Sequence, residues 1–379
     1  MRILIAPDKF KDSLTADEVI MAIKKGIRKV LPKAKIHEAK MSDGGDGFLN
    51  AVNNYLQCKE IWVATEDPLG RPIKAPYLLD TVNGRAYIEL AKTSGLELLK
   101  PLERNVMITS TRGTGLQMLD AIKKGAKTLY LGLGGSATND GGTGIADAFG
   151  YVFKDENDNP LRPMGVNLSK IHQILMPKDG LLDTIKVIAI NDVGNPLHGK
   201  QGAAYVYGAQ KGANKEQIVL LDTGLRHLAE RVRTSFEKSF ERLPGSGAAG
   251  GTAYGLKVFL NAEYTRGIDF VLGIAGVETL MKSHVIDYIF TGEGKIDQQT
   301  VYGKLIKGVA DLGSEHDIPV IAVCGKLDMD TKGLDVLGLT QVLEIMDTSK
   351  PVQYSMDNAA EMVEQKVRQY LIDAVQDNY

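Results

Sequence analysis

The sequence predicts an α/β protein of two domains: a doubly wound parallel sheet formed by both chain ends, and a second α/β domain inserted between them. Three observations predict it. Short β-branched runs repeatedly give way to Gly/Asp loops and then to amphipathic stretches, the pattern of strand–loop–helix units. One segment, Tyr77 to Leu90, breaks that pattern by placing Asn83-Gly84 between two strand-like runs, a hairpin signal. The length of 379 residues, 44% hydrophobic and 24% charged, exceeds one ordinary domain and suits two.

Arg2 to Ala6 is nearly continuously apolar, as a strand buried on both faces must be. Thr15 to Leu31 places Val19, Ile20, Ile23, Ile27, Val30 and Leu31 on one helical face. Thr15 and Glu18 form a capping box at its start, and Pro32 stops it. The turn-rich run from Thr65 to Pro72 opens the inserted region, and Asn83-Gly84 within it favours a type I′ turn. The parallel pattern recurs at Thr128 to Leu133, which runs into Gly134, and at Lys186 to Ile190, which runs into Asn191-Asp192. It recurs again at Asp287 to Phe290, followed by a loop over Thr291 to Asp297, and at Ile318 to Val323, followed by a loop over Cys324 to Asp328. The expected domains are therefore residues 1–64 with 287–379, and 65–286.

A formal net charge of -2 without any Lys/Arg run argues against nucleic acid or an anionic membrane as partner. Two cysteines, Cys58 and Cys324, fit reduced thiols better than a disulfide framework. The first apolar run is too short for a signal-peptide core, and no segment is long enough to span a bilayer. The expectation is a cytoplasmic protein acting on a small molecule, with homo-oligomerisation left open.

Several loops carry chemistry. Gly132-Leu133-Gly134-Gly135-Ser136-Ala137 fits the dinucleotide pattern after a strand, and Thr138-Asn139-Asp140-Gly141-Gly142 prolongs it. Successive amides in such a loop form an anion nest at a helix N-terminus, so phosphate binding is expected whether the ligand is ATP or a dinucleotide. Asp43 and Asp46, on the glycine frame of Ser42 to Gly47, offer hard oxygen ligands to Mg2+. Lys9 or Lys11, beside the first strand end, could hold a carboxylate or phosphate. Asp192, closing a buried strand, is placed to take a proton from a substrate hydroxyl. The small-residue run Gly245 to Gly251 reads as close packing rather than a hinge. A P-loop, protein-kinase signatures, HExxH and G-x-S-x-G are all absent.

Taken in order, PDKFKDSLTA, SDGGDG, GLGGSATNDGGTG, NDVGNPLHGKQGAAYVYGAQKGA, GSGAAGG and TGEGKIDQQT resemble the bacterial type I glycerate kinases over most of the chain. The resemblance implies ATP- and Mg2+-dependent phosphorylation of D-glycerate, with 2-phosphoglycerate favoured over 3-phosphoglycerate. It also implies a flavodoxin-like domain made from both chain ends, an inserted domain, and a site in the cleft. Lys9 and Asp12 stand where members commonly have Ser and a Gly or Glu, and Asp46 where Glu is usual. On this reading Asp192, Lys11 and Lys295 are catalytic. Gly134, Gly135, Ser136, Asn139, Asp140, Gly292 and Glu293 bind the nucleotide, Asp8, Lys9 and Asp297 the substrate, and Asp43 and Asp46 the metal. Two rivals remain at this point: an NAD(P)-dependent dehydrogenase of a small hydroxy acid, with Asp155 or Glu156 as ribose partner, and a non-catalytic anion-binding sensor.

Overall fold

The computed structural model describes residues 1–40, 47–178, 180–283, 286–297, 300 and 305–376. In chain order its strands are β1 (Arg2–Ile5), β2 (Lys35–Glu38), β3 (Lys59–Glu66), β4 (Pro72–Asp80), β5 (Arg85–Glu89), β6 (Thr128–Gly132), β7 (Val152–Lys154), β8 (Gln173–Leu175), β9 (Lys186–Ile190), β10 (Glu263–Thr265), β11 (Tyr288–Asp297), β12 (Val320–Asp328) and β13 (Gln341–Glu344). The chain divides into two compact units, Met1–Asp43 with Ile268–Tyr379, and Gly44–Gly267. The sequence placed these junctions at 64/65 and 286/287. The first lies earlier because β3 pairs with β4 along its whole length, from Lys59 opposite Leu79 to Glu66 opposite Pro72, and so cannot be parted from the second unit. The second lies earlier because Ile268 packs where a Cβ on Gly308 would sit, which ties the helix Gly267–Ile274 to the first unit.

The first unit is built on a five-stranded sheet, β13-β12-β11-β1-β2, in which every pairing is parallel. Counted within the unit the order is 2-1-3-4-5, the flavodoxin-like arrangement, which reverses between β1 and β11. Alternate residues of β12 show the double winding. Ile321 and Val323 pack with Val19, Ile23 and Ile27 of the helix Ala16–Val30 and with Val363 and Val367 of the helix Ala359–Gln376. Ala322 and Cys324 point the other way, towards Ile306 and Leu337. Each Ile or Val sealed in this way contributes about 1.5–3 kcal/mol of burial. The capping box starts the first helix as expected: Thr15 N donates to Glu18 Oε2 at 2.8 Å, and Glu18 N donates to Thr15 Oγ1 at 3.3 Å.

β11 and β12 run further than the sequence indicated. The stretches read as loops, Thr291 to Asp297 and Cys324 to Asp328, stay paired in parallel to their ends. Glycines permit it, because a Cβ on Gly325 would collide with the carbonyl of Gly294, and one on Gly292 would lie 2.5 Å from the Val323 carbonyl oxygen. Gly and Asp density, which normally marks a turn, here marks two backbones in close approach.

The second unit carries a six-stranded mixed sheet, β10-β9-β6-β5-β4-β3, and a small antiparallel ribbon of β7 and β8. β10, β9, β6 and β5 are parallel, while β4 and β3 are antiparallel at one edge. The hairpin between β4 and β5 differs from the expected type I′ turn. Asp80 pairs with Arg85, which leaves a four-residue connection, and only Gly84 is left-handed (φ 62°). The Asp80 carboxylate explains the longer turn, since it accepts from Val82 N, Asn83 N and Asn83 Nδ2 and closes the loop itself. Cys58 and Cys324 are free. Among the described residues no helix is long and apolar enough to cross a membrane.

The packing of the first helix on the last yields a stability test. A Cβ on Gly26 would lie 2.7 Å from the Glu364 carbonyl oxygen and 3.0 Å from Val367 Cβ. Gly26→Val gains about 0.5 kcal/mol of helix propensity but incurs about 1–3 kcal/mol of overpacking. Urea denaturation is therefore expected to show a net destabilisation of about 1–2 kcal/mol.

Candidate active site

Ligands of open α/β sheets bind beyond the carboxyl ends of the parallel strands, and nearly all the residues singled out from sequence fall there. In the first unit β1 leads into Pro7-Asp8, whose backbone is tied to β11. Asp8 N donates to Gly292 O at 2.8 Å, and Thr291 Oγ1 donates to Ala6 O at 2.9 Å. The Asp8 carboxylate accepts from Lys9 N at 2.7 Å. Lys9 and Lys11 are exposed and form no ion pair with a described residue. Asp12 holds φ 61°, a left-handed conformation that a glycine would adopt without strain.

Glu293 is buried on β11, and its Oε1 accepts from Thr300 Oγ1 at 2.6 Å, while Asp297 N donates to the same hydroxyl at 3.1 Å. Lys295 lies 2.8 Å from Asp328 and 3.3 Å from Asp297, and hydrogen bonding to these two carboxylates raises its pKa. Its charge is thus already balanced, unlike that of Lys11. The fold brings Asp8, Lys9, Lys11, Gly292, Glu293, Lys295 and Asp297 to one sheet edge. Asp43 and Asp46 lie outside the described residues, as do Gln298, Gln299, Gly303 and Lys304. Among the described residues no group of three or more His, Cys, Asp or Glu is placed to hold a metal.

In the second unit the loop after β6 exposes only its start. Gly135 is open to solvent and Gly134 partly so, whereas Ser136 to Ile145 are buried. The expected anion nest at the start of the helix Thr143–Ala148 is present but filled from within. The Asp140 carboxylate accepts from Thr111 N (2.7 Å), Thr111 Oγ1 (2.8 Å), Gly142 N (3.1 Å) and Gly144 N (3.2 Å). Burial pushes its pKa up, against the pull of those donors. Asp140 therefore takes the place in the nest that sequence reasoning gave to a ligand phosphate. The dinucleotide fingerprint fails for the same reason. The acidic ribose candidate Asp155 is also engaged, accepting from Asn157 N and Asn159 N within its own turn.

Asn139 is 1% exposed, and neither its Oδ1 nor its Nδ2 has a hydrogen-bond partner among the described residues; the buried Thr138 hydroxyl also lacks one. Buried amides left unsatisfied are rare enough to need a cause. Beneath them Lys211, 3% exposed, donates to Ser136 Oγ at 2.6 Å and to Thr138 O at 2.8 Å. Burial lowers its pKa from 10.5 to about 7, with the nearby Asp140 acting in the opposite sense. The run Gly245 to Gly251 packs against this loop, because a Cβ on Gly250 would run into the Thr138 carbonyl. At the end of β9, Asp192 Oδ1 accepts from Gly267 N at 2.8 Å, which fixes the carboxylate.

Lys211 and Glu89 were not singled out as site residues from sequence. Glu89, 1% exposed at the end of β5, accepts from Leu49 N at 3.1 Å and Gly47 N at 3.3 Å. A carboxylate closing an apolar strand was a legible signal, as it was for Asp192. A single lysine amid glycines and alanines was not, because such residues are usually solvated.

The model of the glycerate kinase family matches residues 3–373. A glycerate kinase of Halalkalibacterium halodurans is 40% identical over 97% of this chain and 96% of its own length. A glycerate kinase of Bacillus subtilis is 37% identical over 97% and 96%. A glycerate 2-kinase of Escherichia coli is 37% identical over 91% of each chain. A crystal structure from Salmonella typhimurium LT2, provisionally assigned as glycerate kinase 2, superposes with a TM-score of 0.82 at 35% identity, covering 100% of this chain and 99% of the other.

Two outcomes test the geometry of the second unit. Asp140→Ala strands four buried donors and is expected to lower stability by about 3 kcal/mol or more in urea denaturation. For Lys211 the depressed pKa means that, between about pH 7 and 10.5, the unfolded chain holds a proton the folded chain lacks. Its contribution to stability therefore rises with pH across that window. Relative to Lys211→Met, the wild type should gain about 1–3 kcal/mol between pH 7 and 9.5.

Proposed function

The chain belongs to the glycerate kinase family, and we propose that it transfers the γ-phosphoryl group of MgATP to D-glycerate, with the 2-hydroxyl as acceptor. The observation that carries this reading is likeness along the whole chain, from residue 3 to residue 373. The choice of the 2-hydroxyl leans on the glycerate 2-kinase of Escherichia coli, 37% identical over 91% of this chain. Membership makes the protein a kinase that phosphorylates an alcohol group, which removes the dehydrogenase and sensor readings.

The residues fit such substrates. The unpartnered amide of Asn139 offers a donor and an acceptor together, the complement of a hydroxy acid or a phosphate ester. Mg2+ bound with a nucleotide needs only one or two protein carboxylates beside the phosphates, which is the role given to Asp43 and Asp46. MgATP, when bound, supplies the phosphoryl group with its charge partly neutralised.

Phosphoryl transfer asks the protein chiefly for positioning and charge. Asp192 orients the acceptor hydroxyl or takes its proton, and the Gly267 amide holds the carboxylate in one orientation. Lys11, with no ion pair among the described residues, offsets charge developing on the transferred group. Lys295 has a lesser share, since Asp297 and Asp328 already balance it. Asp8 and Lys9 are assigned to the substrate, Lys9 pairing with its carboxylate. Gly134, Gly135, Ser136 and Asn139 are assigned to the nucleotide, together with Gly292 and Glu293. Asp140 shapes the loop that presents them.

Phosphorus NMR of the protein with MgATP and D-glycerate should show a phosphomonoester signal growing as ATP becomes ADP, with proton coupling that identifies the 2-phosphate. Coupling to a methylene instead would move the acceptor to the 3-hydroxyl, and an unchanged spectrum from folded protein would reject glycerate. Asp192→Asn should lower kcat by about 100-fold or more with the circular dichroism spectrum unchanged; near-normal turnover would remove Asp192 from the mechanism.

A further inference from the structure

The first unit contains a pocket of about 290 Å3 at the carboxyl edge of its sheet. It opens where Phe10 follows β1, Gly294 lies on β11, Gly325 lies on β12 and Ile345 follows β13, so it adjoins the point where strand order reverses. Its volume is close to the lower limit of small-ligand sites, about 300 Å3. We propose that this pocket receives the base of a purine nucleoside triphosphate, with Lys11 and Lys326 at its rim directed to the phosphates.

The chemistry of the wall selects the occupant. Phe10 and Ile345 are buried, and Met346 and Met356 add adaptable thioethers suited to an aromatic ring. Each lining hydroxyl already has one partner: Ser13 Oγ donates to Met356 O at 3.0 Å, and Ser355 Oγ accepts from Asp347 N at 3.2 Å. A three-carbon hydroxy acid, polar along its whole length, gains little from a wall of Phe10, Ile345, Met346 and Met356, and each hydroxyl left unmatched there costs about 1–3 kcal/mol. A flat purine presents apolar faces and loses little. Charge points the same way. Lys11 and Lys326 are exposed, and neither has an ion pair among the described residues, whereas Lys295 on the neighbouring strand is paired with two carboxylates. Two exposed ammonium groups beside an apolar slot match a ligand that is apolar at one end and polyanionic at the other.

This inference rests on the kinase reading and adds to it where the nucleotide's base lies. Met346→Trp fills the pocket from a half-buried position, and Lys326→Ala removes a rim charge from an exposed one, so at least the second keeps the fold. For each variant, circular dichroism, the KM for ATP, the KM for D-glycerate and ADP binding by titration calorimetry would be measured. Met346→Trp should raise the KM for ATP and the Kd for ADP at least about tenfold. Lys326→Ala should raise both severalfold, and the KM for glycerate should stay within about twofold in each variant. Adenosine should compete with ATP in the wild type and lose that ability in Met346→Trp. Unchanged ATP and ADP constants in folded variants would overturn the proposal, as would competition by inorganic phosphate without any by adenosine. Glycerate turnover indifferent to both substitutions would refute the pocket and leave the kinase. ADP binding that depends on Met346, in a protein that phosphorylates no glycerate, would refute the acceptor and leave the pocket.

Discussion

Much of the second unit depends on a carboxylate that never meets solvent. Asp140 sits at the N-terminus of a short helix and collects four donors, two of them from Thr111, which lies 29 residues earlier in the chain. A carboxylate in that position balances the helix dipole and satisfies amides that would otherwise be orphaned. It also fixes where Gly134 to Asn139 run. With Asp140 anchored below and Lys211 holding Ser136 and Thr138 from the side, the loop has little freedom, and the buried Asn139 amide has no partner among the described residues. The cost of burying Asp140 and Lys211 is spread over six hydrogen bonds from the loop and its neighbours.

Glycine allows this density, and it does so through absence of volume more than through flexibility. Gly250 admits the Thr138 carbonyl, Gly255 admits that of Gly141, and in the first unit Gly325 admits that of Gly294. In each case a methyl group would occupy space already held by backbone. The same device therefore builds a loop platform in one unit and a long parallel strand pair in the other. Around β11 and β12 it has an electrostatic result, because strand register sets Lys295 beside Lys326 and Asp297 beside Asp328. The Lys295 ammonium is then neutralised by the two aspartates, while Lys326 is exposed and adds to the pull that lowers the Asp328 pKa.

Much of the fold was legible because it rests on local rules. The apolar run from Arg2, the capping box of Thr15 and Glu18 and the runs ending at Gly132 and Ile190 each carry a pattern that a few residues suffice to set. The lengths of β11 and β12 were not legible. Gly292, Gly294 and Gly325 look like turn residues in a list, and only a second backbone lying against them shows that they are strand. The Asn83-Gly84 turn misled in the opposite way, because the Asp80 side chain competed for the amides and lengthened the connection.

The sequence by itself determined the alternation of strands and helices, the interruption that marks an inserted region, the family and the loops in which chemistry would gather. These depend on periodicity, capping and short motifs, which act over a few residues. Only the tertiary structure decided which polar groups those loops satisfy from within. Asp140 and Asn139 are neighbours in sequence, yet one is consumed by Thr111 and the other has no hydrogen-bond partner for its side chain among the described residues. Lys211, 75 residues from Ser136, is drawn into the loop's hydrogen bonding at the expense of its own charge. A hydrogen bond or an ion pair between distant segments depends on distances that no local pattern encodes, and those distances separate the groups that hold the loops together from the groups that do not.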